Sequence, residues 1–314
     1  MTLATAINAY VSWKRSLGMR FRSEAELLRA FRRAVGDIDL AAVHPDAVRA
    51  FLAGPGPVTA FWRQKWIILR GFYRFALGRG LTTVCPVPEV PPRFPPALTP
   101  YIYSREELSR LLAATEVLRE PRCALRPLTF RTLLLLLYGT GMRIGEALAL
   151  RVEDVDIGQC LVTVRDTKFF KTRLVPTGPE LTHALAVYVA QRRCLPLPAG
   201  EASALFATRT GRGLCYDVAN LLFRRVRRHA EIRREGSARY QPRLHDLRHT
   251  AAVHRLIAWY RAGADVQRLL PHLATYLGHV DVCGTQRYLT MTPELLREAG
   301  HRFEQYAQPE VRDV

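Results

Sequence analysis

Four short stretches of the chain carry groups suited to breaking a phosphodiester. In chain order they are Gly141-Met142-Arg143-Ile144-Gly145-Glu146, Thr167-Lys168-Phe169-Phe170-Lys171-Thr172-Arg173, Leu244-His245-Asp246-Leu247-Arg248-His249, and Leu277-Gly278-His279 followed by Arg287-Tyr288. Cleaving that bond without a metal needs a nucleophile, cationic donors for the charge that builds on the non-bridging oxygens, and an acid for the departing alkoxide. Arginine suits the second task, because its planar fork donates two parallel hydrogen bonds to a phosphate and keeps its proton at working pH. Glu146 stands one helical turn from Arg143 and can orient that guanidinium.

Each stretch taken singly has a plainer explanation. Gly141 to Glu146 reads as a helix start with an Arg-Glu surface pair. His245 and His249 have the i, i+4 spacing of a zinc helix, but Asp246 stands where such a helix needs Glu, and Arg248 would repel a metal. Gly139-Thr140-Gly141 lacks the third glycine of a dinucleotide loop, since Gly145 comes one residue late. Tyr260 and Tyr276 compete with Tyr288, and aromatic packing is the default explanation for any of the three.

Together, the order and local spelling resemble the tyrosine recombinase and integrase family. Its catalytic domain carries an arginine, a lysine on a β-hairpin, HxxR, a GH dipeptide and a tyrosine nine residues after that histidine. The resemblance implies that Arg143 and Arg248 clamp the scissile phosphate, while His245 and His279 donate to its oxygens or hold the arginines. It implies that Tyr288 attacks phosphorus to give a 3′-phosphotyrosine, and that Lys168 protonates the leaving 5′ oxygen. The family's hairpin usually has glycine beside the lysine, whereas Thr167 and Phe169 flank Lys168, so Lys171 competes for the acid role. Neither metal nor cofactor is expected. Family members assemble as tetramers on paired DNA sites and pass a C-terminal helix to a neighbour, so double-stranded DNA and a homo-tetramer, or a hetero-oligomer with related recombinases, are the expected partners. A type IB topoisomerase and a catalytically silent DNA-binding accessory protein are the alternatives.

The elements that must position these groups can be outlined from the same sequence. Apolar spacing predicts helices over residues 3–17, 23–35, 45–52 and 58–77, forming a small all-helical domain. Residues 86–100 concentrate proline (Pro86, Pro88, Pro91, Pro92, Pro95, Pro96, Pro100), which forbids helix and predicts a stiff extended linker over 86–102. Ser104 and Glu107 then spell a capping box that opens a second domain, residues 103–314. Helices are expected over 129–138, 180–191, 217–232, 246–260 and 266–276, with β-branched runs at 161–164 and 174–175 making a small antiparallel sheet. Thr292 and Pro293 open a last helix, with Gly300 at or near a break. The fold class is mainly α with a small antiparallel β-sheet: a helical core-binding domain, by its likeness in position and helix pattern to the family's, and a mixed α+β catalytic domain.

Composition narrows the partner. Lysine and arginine total 46 against 28 acidic residues, a net charge of +18, which points to a polyanion; 48% hydrophobic residues indicate packed domains rather than a disordered basic arm. Candidate DNA contacts are Lys14, Arg15, Arg63, Lys65, Arg70 and Arg74 in the first domain and Lys171 and Arg173 in the second. Six scattered cysteines form no CxxC pair, so neither a zinc knuckle nor a disulfide framework is expected. The longest leucine run, Leu133 to Leu137, falls far short of the ~20 apolar residues of a bilayer-spanning helix. The N-terminus lacks a secretion signal, and a cytoplasmic, nucleoid-associated location follows as the expectation.

Overall fold

The structure, a computed structural model, describes residues 1–54, 58–94, 99–121, 123, 125–165, 172–235, 240–278, 282–290 and 292–307. The chain divides into two compact units, one built on Met1–Leu98 and the other running from Thr99 onward.

Among the described residues the first unit holds four α-helices, α1 (Leu3–Ser16), α2 (Ser23–Val35), α3 (Pro45–Ala53) and α4 (Ala60–Gly78). Side chains satisfy the free N–H groups at several starts: Thr2 accepts from Thr5 N, and Thr59 accepts from Trp62 N. The apolar stripes of the helices meet in one core containing Leu3, Tyr10, Leu28, Phe31, Phe72 and Tyr73. The first part of the proline-rich stretch runs without helix and packs on this unit. Val87 is buried in this core, Trp66 Nε1 donates to Pro88 O at 2.8 Å, and Arg70 Nη1 donates to Glu89 O at 3.2 Å. Proline-rich backbone makes no ladder of its own, and its free carbonyls are good acceptors for side chains of α4.

In the second unit, α5 (Arg105–Ala113) starts on the Ser104–Glu107 capping box. The next helix, α6 (Arg126–Thr140), buries Phe130, Leu133, Leu134, Leu136 and Leu137 on all sides, which marks it as the central helix of the unit. It ends at Gly141 in the left-handed conformation, and a short helix α7 (Ile144–Ala149) follows. Three antiparallel strands come next, β1 (Val155–Asp156), β2 (Leu161–Val164) and β3 (Arg173–Pro176), in the order β1-β2-β3. Val162 pairs with Val175 and Val164 with Arg173; Val162, Val164 and Val175 face the core while Leu174 is exposed. The two-residue β1 has no β-branched run to announce it.

Helices α8 (Pro179–Arg193), α9 (Tyr216–His229), α10 (Asp246–Arg261), α11 (Val266–Leu277), α12 (Cys283–Gln286) and α13 (Pro293–Ala307) complete the unit. Between α12 and α13 lies a 3-10 turn, Arg287–Thr290. No break occurs at Gly300: α13 passes through it, as a glycine can when no positive φ is imposed. No helix is long and apolar enough to cross a membrane among the described residues.

Candidate active site

The described part of the site is built where two helix C-termini meet the start of α10. Gly141 caps α6 and Gly278 caps α11, both left-handed, at φ +61° and +70°. A Cβ on Gly141 would lie 2.6 Å from Leu277 Cδ2, so the space as well as the dihedral calls for glycine. Each cap presents a carbonyl at the negative end of its helix, and each carbonyl holds an arginine from elsewhere. Arg248 Nη1 donates to Gly141 O at 2.8 Å, and Arg143 Nη2 donates to Gly278 O at 3.1 Å. A helix C-terminus favours a cation, so the two guanidiniums are seated crosswise by helix ends.

Arg248 is buried in the first turn of α10, and that burial, with repulsion from Arg143, pulls its basicity down to about 10. It therefore stays charged at neutral pH. Tyr288 stands close enough to favour the charged form, yet Arg248 Nη2 has no hydrogen-bond acceptor at ordinary geometry among the described residues. A buried charged donor without an acceptor is costly unless a ligand supplies one. Arg143 is 42% exposed along its side chain and donates through Nη1 to Glu146 Oε1 at 2.9 Å; its backbone N–H donates to Glu146 Oε2 at 2.9 Å. Glu146 is held at about 2: burial alone would raise it, but bonds from Arg173 and Arg143 outweigh that.

His245 and His249 stack edge to face, centroids 4.9 Å apart, and His249 lies 5.6 Å from the Tyr288 ring. Burial lowers both imidazoles, with Arg248 adding to the effect, and His249 falls to about 3, so both are neutral at pH 7. Tyr288 is only 2% exposed, shares an apolar cluster with Leu256, Leu270, Leu277 and Leu295, and lies near enough to the Arg248 guanidinium to favour its charge.

The structure thus brings together Arg143, Glu146, His245, Arg248 and Tyr288. Lys168, Lys171 and His279 lie outside the described residues. Arg173, expected as a DNA contact, is 15% exposed and faces Glu146. In the first unit, Lys65 turns inward to Phe51 O at 2.6 Å, Arg63 lies over the Phe94 ring, and Lys14 lies over Trp13. Arg15, Arg70 and Arg74 are exposed. The Gly141 and Gly278 carbonyls and His249 were not read as site groups. The left-handed cap of α6 was hinted at by the glycine ending a helical run, whereas a carbonyl's use as an acceptor leaves no mark in sequence.

A phenol near a buried guanidinium, a second guanidinium seated on another helix end and neutral imidazoles beside them, on a strongly basic chain, define a DNA strand-transfer enzyme of the tyrosine type. Residues 103–294 match the phage integrase family. A Sinorhizobium fredii protein described as an integrase/recombinase, y4rB, is 35% identical over 306 residues, covering 96% of this chain and 97% of its own. The tyrosine recombinase XerD of Mycobacterium tuberculosis (H37Rv) is 34% identical over 277 residues, 87% of this chain and 79% of its own. Among solved folds, a lambda integrase dimer bound to a core site superimposes with a TM-score of 0.66 at 19% identity, covering 93% of this chain and 97% of that one. The Tn1549 transposon integrase with transposon right-end DNA gives 0.71 at 16%, covering 98% and 100%. The chain belongs to the phage integrase family and is a tyrosine-type site-specific DNA recombinase.

Proposed function

We propose that the chain cleaves duplex DNA one strand at a time, with Tyr288 as nucleophile and Arg143 and Arg248 as the clamp on the scissile phosphate. The phenol oxygen bonds to phosphorus, the bond from phosphorus to the 5′ oxygen breaks, and a 3′-phosphotyrosine forms. The phenolic proton passes to water as the bond forms, and Lys168 gives its own proton to the departing oxygen. Reversal with another strand's 5′-hydroxyl rejoins the DNA and regenerates the phenol. His245, neutral and beside Arg248, serves as a donor or spacer at the phosphate, and His279 follows directly on the Gly278 turn.

The observation that carries this reading is the crosswise seating of Arg143 and Arg248 on two helix-end carbonyls, with the buried Tyr288 close to Arg248. Two preset cations stabilise charge developing on the non-bridging oxygens without reorganising at the moment of reaction. Residues 1–85 are assigned DNA binding as a core-binding domain, 86–102 the connection and 103–314 catalysis. Assembly as a homo-tetramer on paired sites, or with related recombinases, is proposed from the relatives and from α13, which leaves Leu296 and Phe303 exposed, the latter at 70%. A cytoplasmic setting on the nucleoid fits a DNA substrate.

The test is covalent capture from a randomised pool of nicked duplexes. Wild-type chain should retain a DNA subset through denaturing electrophoresis and yield a site sequence, and Tyr288→Phe should retain none. Equal capture by both forms, or none by the wild type, rejects the reading.

A further inference from the structure

Arg173 opens β3, 27 residues from Glu146 in sequence, and reaches its carboxylate with both prongs. Nη2 donates to Oε2 at 2.8 Å and Nη1 to Oε1 at 3.2 Å. Both oxygens also serve Arg143, one through its guanidinium and one through its backbone N–H. A single carboxylate therefore bridges two arginines.

The other side of the Arg173 guanidinium lies against Gly278. A Cβ there would come within 2.8 Å of Nη1 and 2.9 Å of Cζ, and Gly278 O is the acceptor for Arg143 Nη2. Arg143, Glu146, Arg173 and Gly278 close a ring of contacts around the more exposed of the two clamp arginines.

Charge gives this ring its meaning. Arg143 with Glu146 alone is a neutral pair, and a carboxylate free to swing would take the fork of Arg143 on two prongs and cancel the charge a phosphate needs. With Arg173 on the same carboxylate, Arg143 makes one side-chain bond to it, and the cluster of two cations and one anion keeps a net positive charge. We propose that Arg173 is a positioning residue: it occupies Glu146 so that Arg143 stays aimed and uncompensated, and it sets the Gly278 turn from which the chain continues to His279. The proposal rests on the assignment of Arg143 to the phosphate clamp.

The experiment uses full-length chain and the nicked duplex that the wild type selects by covalent capture, in two forms. One carries the ordinary scissile phosphate and the other a methylphosphonate, which removes the charge of one non-bridging oxygen. Arg173→Ala should bind the ordinary duplex within about twofold of wild type and form the covalent complex about 10- to 100-fold more slowly, the usual loss for a group that orients a functional side chain. On the methylphosphonate that deficit should shrink, because a neutral phosphorus centre asks less of Arg143. Arg173→Lys, which keeps the charge with a single donor centre, should restore part of the rate, and it replaces the alanine variant if the latter does not fold. The proposal is overturned if the variant loses DNA affinity yet cleaves bound DNA at the wild-type rate, which would make Arg173 a DNA contact. It is also overturned if the deficit is equal on both duplexes, since the loss then owes nothing to the charge of the phosphate. Capture by the wild type alongside any of these outcomes leaves the assignment of Tyr288 standing.

Discussion

At the scale of single residues, backbone atoms do as much as side chains to set the site. Gly141 holds Arg248 through its carbonyl, and its own conformation is fixed by a left-handed φ and by Leu277 packed over it. Gly141→Ala should therefore cost about 1–3 kcal/mol in denaturant unfolding and slow covalent capture beyond what the lost stability explains, because the carbonyl must turn with the dihedral. His249 supplies a pH test. Its folded value of about 3 lies below the ordinary 6.5 of an unfolded chain, so its contribution to stability is complete above pH 6.5 and is lost as pH falls toward 3. The loss runs at about 1.4 kcal/mol per pH unit, one extra proton being bound by the unfolded state. Urea melts between pH 4.5 and 6.5 should show a slope shallower by that amount in His249→Leu, and an unchanged slope would mean that His249 titrates normally. That Arg143, His245, Arg248 and Tyr288 come together was legible in sequence, because phosphoryl transfer asks for particular side-chain types and these stretches spell them at short spacings. The pairing of Arg173 with Glu146 was not, since it depends on how the sheet lies against α7.

At the scale of elements, most helices were legible from apolar spacing and caps, and the misses have local causes. Gly300 reads as a stop, yet no left-handed turn is imposed there and α13 runs on. The 86–100 run reads as a stiff extended connection, and Trp66 and Arg70 of α4 take the Pro88 and Glu89 carbonyls in it, a partnership that local pattern cannot display. The helix α13 also allows packing and charge to be separated. Leu295 is fully buried against the core of α10 and α11, whereas Arg261 of α10 meets Glu294 and Glu298 at 2.8 Å each in an exposed setting. Arg302 donates to the carbonyls of Gly263 and Ala264 just beyond α10. A buried leucine truncated to alanine typically costs about 2–5 kcal/mol, and an exposed ion pair contributes about 1 kcal/mol or less. Leu295→Ala should therefore open α13 to hydrogen exchange far more than Arg261→Ala does. The reverse order would mean that charge, not packing, seats the helix that follows Tyr288.

At the scale of the whole molecule, the net charge of +18 sets how binding responds to salt, but a formal charge is not a contact. Each phosphate neutralised on duplex DNA contributes ~0.9 to the slope of log affinity against log salt. A cation already held inside its own unit contributes only if it lets go, and the first unit sorts its basic residues into two kinds. Lys65 points back to the Phe51 carbonyl beside the Phe51 and Phe61 rings, and burial depresses its basicity. Its ammonium ties α4 to the end of α3. Arg74, by contrast, stands exposed on α4. Arg74→Gln should therefore lower the salt slope by about 1 with little change in unfolding free energy. Lys65→Gln should lower stability and leave the slope where it was. Titrating both variants against the captured duplex from 50 to 300 mM salt, on the order of the range where such slopes are resolved, separates the cases. A slope that fell equally for both would mean that Lys65 leaves its carbonyl to meet DNA, and that burial in the free chain is no guide to which cations touch phosphate.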